Sequence, residues 1–126
     1  MTIYGMGIDI IEINRIKLIV ARTGDRLASR ILTKIEWQKY KSSKFPIRFL
    51  AKRFAAKEAA AKAFGYGVSY GLAYNQFEII NDKFGKPMLH FFLNAAILIE
   101  NLCILKMHIS LTDDKCYACA VVIFEK

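Results

Sequence analysis

The sequence has little of what a disulfide framework or a membrane anchor requires. It holds three cysteines among 126 residues, an odd number that suits a reduced cytoplasmic chain better than a set of disulfides. Its most apolar segment, 93–105, is interrupted by Asn94, Glu100 and Asn101, so no apolar run approaches membrane-spanning length. The N-terminus lacks a basic leader, an apolar region and a small-residue cleavage site, so we expect no secretion signal. These absences predict a cytoplasmic protein with no membrane partner.

Cys116 and Cys119 have the spacing of half a zinc site or of a redox pair. The pattern around them opposes both roles, because residues 117–124 are typical of a strand, in which residues three apart point to opposite faces. The chain also lacks a second cysteine pair with matching spacing. We therefore predict neither a zinc site nor a redox site here.

Acidic residues are few relative to basic ones, with 11 Asp and Glu against 19 Lys and Arg and a formal net charge of +8. Such a balance implies an acidic partner. Four arginines cluster in the first quarter of the chain: Arg15, Arg22, Arg26 and Arg30. An aromatic-interleaved RNA-binding signature and a clear helix-turn-helix pattern are both missing. An arginine-studded helical edge suits the acidic helix of another protein, while a nucleic-acid-binding module and a merely solvated basic face stay open.

What is present favours one α+β domain over residues 1–126. Hydrophobic residues make up 55% of the chain, which argues against disorder, and the length suits one core rather than two. We predict an antiparallel sheet packed against a long central helix and shorter helices. Thr33 with Glu36 predicts a capping box, and Pro46 suits the first turn of the long helix. The predicted helices are 12–21, 25–32, 34–41, 46–64 and 93–102; the strands are 3–10, 75–81, 87–91, 106–112 and 116–124, with a glycine-containing loop over 66–74.

The most informative stretch, 54–67, is an alanine-rich helix that ends at a Gly-Tyr-Gly turn. It carries one carboxylate, Glu58, and Lys62 lies four residues further on the same face. A carboxylate and an ammonium beside a glycine loop are the groups that can hold a metal and a phosphate together. A surface Glu–Lys pair before a glycine helix stop is the simpler alternative, and it stays open at this point.

The predicted N-terminal strand has one bulky face and one nearly bare face. Its period of two places four large side chains on one side: Tyr4, Met6, Ile8 and Ile10. Gly5, Gly7 and Asp9 fall on the other side, and glycines in a strand often mark close approach of a ligand or of another backbone. Asp9 and Glu58 would make a plausible Mg²⁺ site, because such sites take one or two carboxylates from the protein and complete the shell with phosphates and water. A strand-end Asp beside a helix start is the alternative.

Four blocks of the sequence carry a family resemblance. They are GMGIDIIEINRI at 5–16, FLAKRFAAKEA at 49–59 followed by Gly65-x-Gly67, NDKFGKP at 81–87, and MHISL at 107–111 with Tyr117-Ala118. In order and over nearly the whole chain, they resemble the holo-acyl-carrier-protein synthases, a family of 4′-phosphopantetheinyl transferases. The chain departs from the family at Tyr66, where threonine is common, and after Ser110, where many members have Ser-His.

The resemblance implies an enzyme that moves 4′-phosphopantetheine from coenzyme A to a serine of apo-acyl carrier protein and releases 3′,5′-ADP. It implies that Asp9 and Glu58 hold Mg²⁺ and that Lys62 neutralises phosphate charge. The general base stays open between a metal-bound water and a nearby carboxylate. A catalytically silent protein that keeps the fold is the remaining alternative.

The resemblance also implies where the coenzyme and the partner bind. Beside Lys62, the expected coenzyme contacts are Arg53, His108 and the backbone of Gly65 and Gly67, where the missing Cβ permits close approach. Acyl carrier proteins are acidic and helical, so the resemblance fits docking on three arginines: Arg15, Arg22 and Arg26. It further implies a homotrimer with each active site between two protomers.

Overall fold

The computed structural model describes residues 1–68 and 71–126, and its elements follow the predicted order. The helices are α1 (Ile13–Thr23), α2 (Arg26–Ile31), α3 (Lys34–Ser42), α4 (Pro46–Phe64) and α5 (Leu93–Asn101). The strands are β1 (Ile3–Glu12), β2 (Phe77–Asn81), β3 (Pro87–Phe91), β4 (Lys106–Asp113) and β5 (Tyr117–Glu125). The predicted α+β class is confirmed. None of the helices in the described ranges combines the length and hydrophobicity needed to cross a bilayer.

The predicted bounds hold to within two residues, and the second strand starts two residues later than predicted. The strand expected from 75 begins at Phe77, because Tyr74–Gln76 form a 3₁₀ turn. The Gln76 side chain explains this turn, since it donates to the Gly71 carbonyl and accepts from the Ala95 N–H. The predicted capping box is present at the start of α3. Of the loop predicted over 66–74, residues 69 and 70 lie outside the described residues.

Helix α4 is the centre of the fold. It packs against β1 and β5 of a three-stranded antiparallel sheet with the order β1-β5-β4, and it also contacts β2 of the antiparallel β2–β3 pair. Pro46 stands in its first turn, and Gly65 ends it in the left-handed conformation at a φ of 91°. Its buried surface is built mostly of small side chains: Ala51, Ala55, Ala56, Ala59, Ala60, Ala61 and Ala63. Such small side chains allow a strand to approach the helix closely.

Four phenylalanines join the C-terminal end of α4 to both sheets. Phe64 lies 4.9 Å from Phe124 of β5 and 5.6 Å from Phe91 of β3, measured between ring centroids and with edge-on geometry. Phe77 of β2 completes the cluster at 5.8 Å from Phe64. Because edge-to-face pairs are favourable beyond their buried area, this cluster gives the glycine turn after α4 a firm base.

The two glycines of β1 face the backbone of α4. A Cβ built on Gly7 would overlap the Ala59 carbonyl oxygen, and one built on Gly5 would overlap that of Ala63. Of the two alternatives that the sequence left open, the structure therefore has another backbone rather than a ligand at these two positions. Close contact between strand and helix fixes where the next inward residue of β1, Asp9, meets α4.

The bulky face of β1 points away from α4. Met6, Ile8 and Ile10 are 61%, 64% and 63% exposed, although alternation alone would suggest that the apolar face is the buried one. The reason is the glycine contact, because only the bare face can approach the helix backbone. Tyr4 departs from this face: the β1–β5 register shifts between Ile3 and Gly5, and the Tyr4 hydroxyl reaches the Phe64 carbonyl at 3.3 Å.

Candidate active site

Asp9 and Lys62 meet where β1 crosses α4. Lys62 Nζ lies 3.0 Å from Asp9 Oδ1 and 3.0 Å from the Ile8 carbonyl oxygen. The Asp9 side chain is 17% exposed, whereas that of Lys62 is 52% exposed. The ammonium of Lys62 is thus paired with a sheltered carboxylate and is also open to solvent, which suits a cation that binds a further negative group.

Glu58 lies one helical turn before Lys62, and its carboxylate is held by a residue that the sequence did not point to. The Tyr74 hydroxyl donates to Glu58 Oε1 over 2.7 Å. Burial raises the pKa of Tyr74, and the hydrogen bond to Glu58 and the negative charges of Glu58 and Asp9 raise it further, so both carboxylates act on one phenol. In the part of the chain that is described, Glu58 and Lys62 form no ion pair within 4 Å. The simple surface pair is therefore not the observed arrangement.

The donors at this place fit a magnesium ion. Asp9 and Glu58 supply hard carboxylate oxygens, and over residues 1–68 and 71–126 no cluster of three or more His, Cys, Asp or Glu is present. Two carboxylates are too few to enclose a metal but suit Mg²⁺, which commonly retains water and binds substrate phosphates. Lys62 would complement those phosphates as a point charge.

The glycine turn continues directly from the Lys62 turn of α4. Gly65 and Gly67 have φ angles of 91° and 66°, conformations that side chains with a Cβ rarely adopt. The turn is exposed apart from half-buried Gly67, and Gly65 N–H bonds back to the Lys62 carbonyl. The predicted Gly65 and Gly67 are therefore close to Lys62 along the chain and have the expected backbone freedom.

Arg53 lies on a different face of α4, in a buried network that the sequence analysis missed. Lys57 is fully buried and donates to Glu36 Oε1 and to the Ile31 carbonyl, each at 2.5 Å. Arg53 Nε is 3.6 Å from Glu36 Oε2 and its guanidinium stacks over the Phe49 ring at 4.5 Å. Burial lowers the pKa of both Lys57 and Arg53, while the Glu36 charge opposes that shift. This network joins α3, α4 and β2, since Glu36 also accepts from the Ile79 N–H.

Arg53 nevertheless borders a basic hollow at the start of α4. The hollow has a volume of about 280 Å³, and its lining includes four cationic side chains: Lys39, Arg48, Lys52 and Arg53. Arg53 Nε has no hydrogen-bond partner among the described residues although it is buried. Arg53 therefore borders the hollow while its guanidinium stays mostly buried against Glu36 and Phe49, on a different face of α4 from Glu58.

His108 is far from Asp9 within one chain. It lies on β4, pairs with Ile123 of β5, and points to the outer face of the sheet, whereas Asp9 pairs with Ala120 and points towards α4. His108 Nε2 is 2.7 Å from Glu125 Oε2, and this hydrogen bond lowers the pKa of Glu125. A cleft of about 400 Å³ between the β2–β3 turn and β4 includes His108 and Lys86 in its lining.

The predicted docking arginines are exposed. Arg15 and Arg22 share one face of α1 with Leu18, which is 62% exposed, and Arg26 starts α2. No ion pair within the described ranges involves any of these arginines. The result is a cationic surface with an apolar centre.

A carboxylate on a strand beside a lysine, a second carboxylate one helical turn before that lysine, and a glycine turn after it are groups that suit a metal ion and a phosphate. The profile of the 4′-phosphopantetheinyl transferase superfamily matches residues 5–122. A relative named holo-[acyl-carrier-protein] synthase from Blochmanniella pennsylvanica (strain BPEN) is 57% identical over 124 residues, covering 98% of this chain and 99% of the relative. The chain belongs to the 4′-phosphopantetheinyl transferase superfamily.

Solved structures agree with this assignment over the whole fold. The holo-[acyl-carrier-protein] synthase from Neisseria meningitidis superposes with a TM-score of 0.95 at 35% identity, covering 99% of this chain and 100% of that one. A holo-(acyl-carrier-protein) synthase from Bacillus anthracis, solved in complex with CoA (3′,5′-ADP), has a TM-score of 0.82 at 36% identity, covering 98% and 97%. The predicted family and fold are confirmed.

Proposed function

We propose that this chain transfers 4′-phosphopantetheine from coenzyme A to a serine of apo-acyl carrier protein. The observation that carries the proposal is the contact of Asp9 with Lys62, one helical turn after Glu58 and just before the glycine turn, in a chain that matches named holo-[acyl-carrier-protein] synthases over nearly its full length. The whole of residues 1–126 would form this one transferase domain.

In the reaction, the serine hydroxyl of the carrier protein attacks the β-phosphorus of coenzyme A. The new serine–phosphorus bond forms as the bond from that phosphorus to the bridging pyrophosphate oxygen breaks, and 3′,5′-ADP leaves with that oxygen. The serine proton passes to a base that the structure does not assign. Much of the catalytic effect in such a transfer comes from alignment and from neutralising charge on the phosphates.

Asp9 and Glu58 would hold Mg²⁺, which when bound supplies positive charge to the pyrophosphate. Lys62, already 3.0 Å from Asp9, would bind the phosphate oxygens as the second source of positive charge. The backbone of Gly65 and Gly67 would lie against the coenzyme. The negative charge of the pyrophosphate would thus be neutralised by the metal and by Lys62, whose ammonium would need no large movement.

We further propose that the protein is a homotrimer with its active sites between protomers. The outer face of the β1-β5-β4 sheet supports an assembly, because it exposes a row of large apolar side chains: Met6, Ile8 and Ile10. Within one chain, His108 lies on the sheet face opposite to Asp9. A coenzyme held by Asp9 of one protomer would therefore meet His108 of a neighbour. Arg53 would add a further coenzyme contact from the basic hollow that it borders.

The carrier protein would dock on the exposed surface of α1 and α2. Arg15, Arg22 and Arg26 would face its acidic helix, and Leu18 would contribute an apolar contact between them. The charge of the chain would thus serve a protein partner rather than nucleic acid. A cytoplasmic location suits this partner, and Cys103, Cys116 and Cys119 are all free thiols.

The decisive experiment incubates the protein with apo-carrier protein, coenzyme A and Mg²⁺ and weighs the carrier protein by mass spectrometry. A gain of one phosphopantetheine group is expected, with no gain when a chelator is present and recovery with added Mg²⁺ or Mn²⁺, which share a preference for oxygen ligands. A folded protein that binds no coenzyme A would contradict the proposal, and so would retention on heparin without retention by acidic carrier protein.

Two substitutions test the metal ligands. Asp9→Asn and Glu58→Gln are nearly isosteric and remove one anionic ligand each, so each should keep its melting temperature near that of the wild type and lose most transfer activity. Glu100→Gln, at an exposed position of α5, is the matched control and should change neither. Full activity of either site variant at low Mg²⁺ would remove that residue from the metal site.

A further inference from the structure

Tyr74 contacts two residues on the face of α4 that carries the proposed metal ligand. Its hydroxyl donates to Glu58 Oε1 over 2.7 Å, and its ring packs against Phe54 with centroids 5.6 Å apart and an interplanar angle of 84°. Phe54, Glu58 and Lys62 follow one another at intervals of four residues along α4. The phenol therefore lies along the same stripe of the helix as the site.

The turn that carries Tyr74 is itself anchored. Tyr74–Gln76 form the 3₁₀ turn before β2, and Gln76 is buried, with side-chain bonds to Gly71 and Ala95. Phe77, the next residue, belongs to the phenylalanine cluster at the end of α4. The Tyr74 hydroxyl therefore contacts Glu58 from the anchored 3₁₀ turn before β2, and not from a neighbouring turn of α4.

This contact gives the two oxygens of Glu58 different roles. Oε1 accepts the Tyr74 hydrogen bond, whereas Oε2 is engaged by no hydrogen bond or ion pair from residues 1–68 and 71–126. A glutamate side chain has three rotatable bonds, so fixing one oxygen removes much of the freedom that a metal would otherwise have to restrict. Groups that orient a metal ligand in this way commonly have a large effect on metal affinity, although they do not contact the metal themselves.

We propose that Tyr74 is a positioning residue for the metal site, whose hydroxyl holds Glu58 so that Oε2 is presented to Mg²⁺. The inference rests on the proposed function, because it takes Glu58 as a magnesium ligand. The ring contact with Phe54 requires only an aromatic side chain, but the bond to Glu58 requires the hydroxyl. The two contributions can therefore be separated by one substitution.

The test is Tyr74→Phe, with Mn²⁺ as a spectroscopic probe for the magnesium position. Binding of Mn²⁺ to the protein with coenzyme A, followed by electron paramagnetic resonance, should weaken by about 10-fold, as is usual for loss of a group that orients a metal ligand. The Mg²⁺ concentration that gives half-maximal transfer should rise by a similar factor. The KM for carrier protein at saturating Mg²⁺ should stay at the wild-type value.

Tyr40→Phe is the matched control. Tyr40 also donates its hydroxyl to a carboxylate, Asp25 Oδ1 at 2.9 Å, but it lies on α3, outside the proposed metal site. This variant should lose a comparable hydrogen bond and keep the wild-type response to Mn²⁺ and Mg²⁺. A general effect of removing a tyrosine–carboxylate bond would appear in both variants, whereas positioning of the metal ligand appears only in Tyr74→Phe.

A double-variant cycle tests whether Tyr74 acts through Glu58. Glu58→Asp retains the carboxylate but withdraws it by one methylene, so the Tyr74 hydroxyl no longer reaches it in the same geometry. In the Glu58→Asp background, Tyr74→Phe should then cause less than about a 2-fold further change in Mn²⁺ affinity, because the coupling between the two sites is already lost.

The outcomes separate the inference from the proposed function. If wild type transfers phosphopantetheine in a Mg²⁺-dependent way and Tyr74→Phe matches it in Mn²⁺ affinity and Mg²⁺ response, the positioning role is overturned and the proposed function stands. If Tyr74→Phe weakens Mn²⁺ binding equally in the wild-type and Glu58→Asp backgrounds, Tyr74 does not act through Glu58. If wild type with coenzyme A binds no Mn²⁺, the metal assignment itself fails.

Discussion

An assembly with shared active sites can be tested by mixing two inactive chains. In one chain, His108 lies two strands away from Asp9 and three residue pairs along the sheet. With strands about 4.8 Å apart and a rise of about 3.4 Å per residue, the two backbone positions are roughly 14 Å apart. Their side chains point to opposite faces of the sheet. One coenzyme bound against α4 would therefore take its histidine from a neighbouring protomer.

The perturbation is co-expression of Glu58→Gln with His108→Ala, each carrying a different affinity tag. In a random mixture of equal amounts, a site draws an intact Glu58 from one protomer with a chance of about one half and an intact His108 from the next with the same chance. About a quarter of the sites are therefore complete. The mixture should recover about a quarter of wild-type activity, although each variant alone is nearly inactive.

The matched control pairs Glu58→Gln with Asp9→Asn. Within one chain, Asp9 of β1 pairs with Lys62, which lies one turn of α4 after Glu58, so both carboxylates of a site come from the same protomer and mixing these two variants restores no site. Assemblies containing both chains would be isolated through both tags in sequence, and transfer would be followed by the mass of the carrier protein. Absence of recovery in doubly tagged assemblies would refute the shared site, as would a fully active monomer in sedimentation.

Three further predictions follow from the surface, the strand–helix contact and an ion pair. Arg15→Glu or Arg26→Glu should raise the KM for carrier protein much more than the KM for coenzyme A. Salt should slow the wild-type reaction, and the double variant should lose most of this salt dependence. Loss of coenzyme A binding with an unchanged KM for carrier protein would contradict the docking role. Gly7→Ala should cost about 1–3 kcal/mol in urea unfolding, because its Cβ overlaps the α4 backbone, and unchanged stability would refute that contact. The hydrogen bond from Arg48 lowers the pKa of Asp113, so the stability that this ion pair contributes is present above the ordinary carboxyl pKa of about 4 and is lost as pH falls through the lowered pKa. Asp113→Asn should therefore lower the free energy of unfolding by at most about 1 kcal/mol at pH 7 and by less at pH 2, measured by equilibrium unfolding at both pH values.

The bounds of α4 were predictable because local chemistry decides them. Proline suits the first turn, the seven alanines between positions 51 and 63 favour the helical conformation, and glycine adopts the left-handed conformation that ends the helix. Thr33 and Glu36 likewise form their capping box between residues three apart. The presence of Asp9 and Glu58 as candidate ligands was also accessible, since each stands beside glycines in a recognisable pattern.

The orientation of β1 was not predictable from its alternation. The pattern separates two faces, but only the approach of α4, more than fifty residues later, decides that the glycine face is the inner one. The contacts of the site have the same origin. Lys62 contacts Asp9 and the Ile8 carbonyl rather than nearby Glu58. Tyr74 reaches Glu58 from a 3₁₀ turn that extends over the first two positions of the predicted strand. These are long-range contacts that no local pattern contains.

The contact between β1 and α4 also sets how the site responds to change elsewhere in the protein. Side chains in a core can shift rotamers when a neighbour is replaced, but the carbonyls of Ala59 and Ala63 and the α-carbons of Gly7 and Gly5 have no such freedom. The distance from Asp9 to the Glu58 and Lys62 turn is therefore a property of two peptide backbones in direct contact. Repacking the phenylalanine cluster or the outer sheet face would change stability and assembly well before it changed the spacing of the two carboxylates.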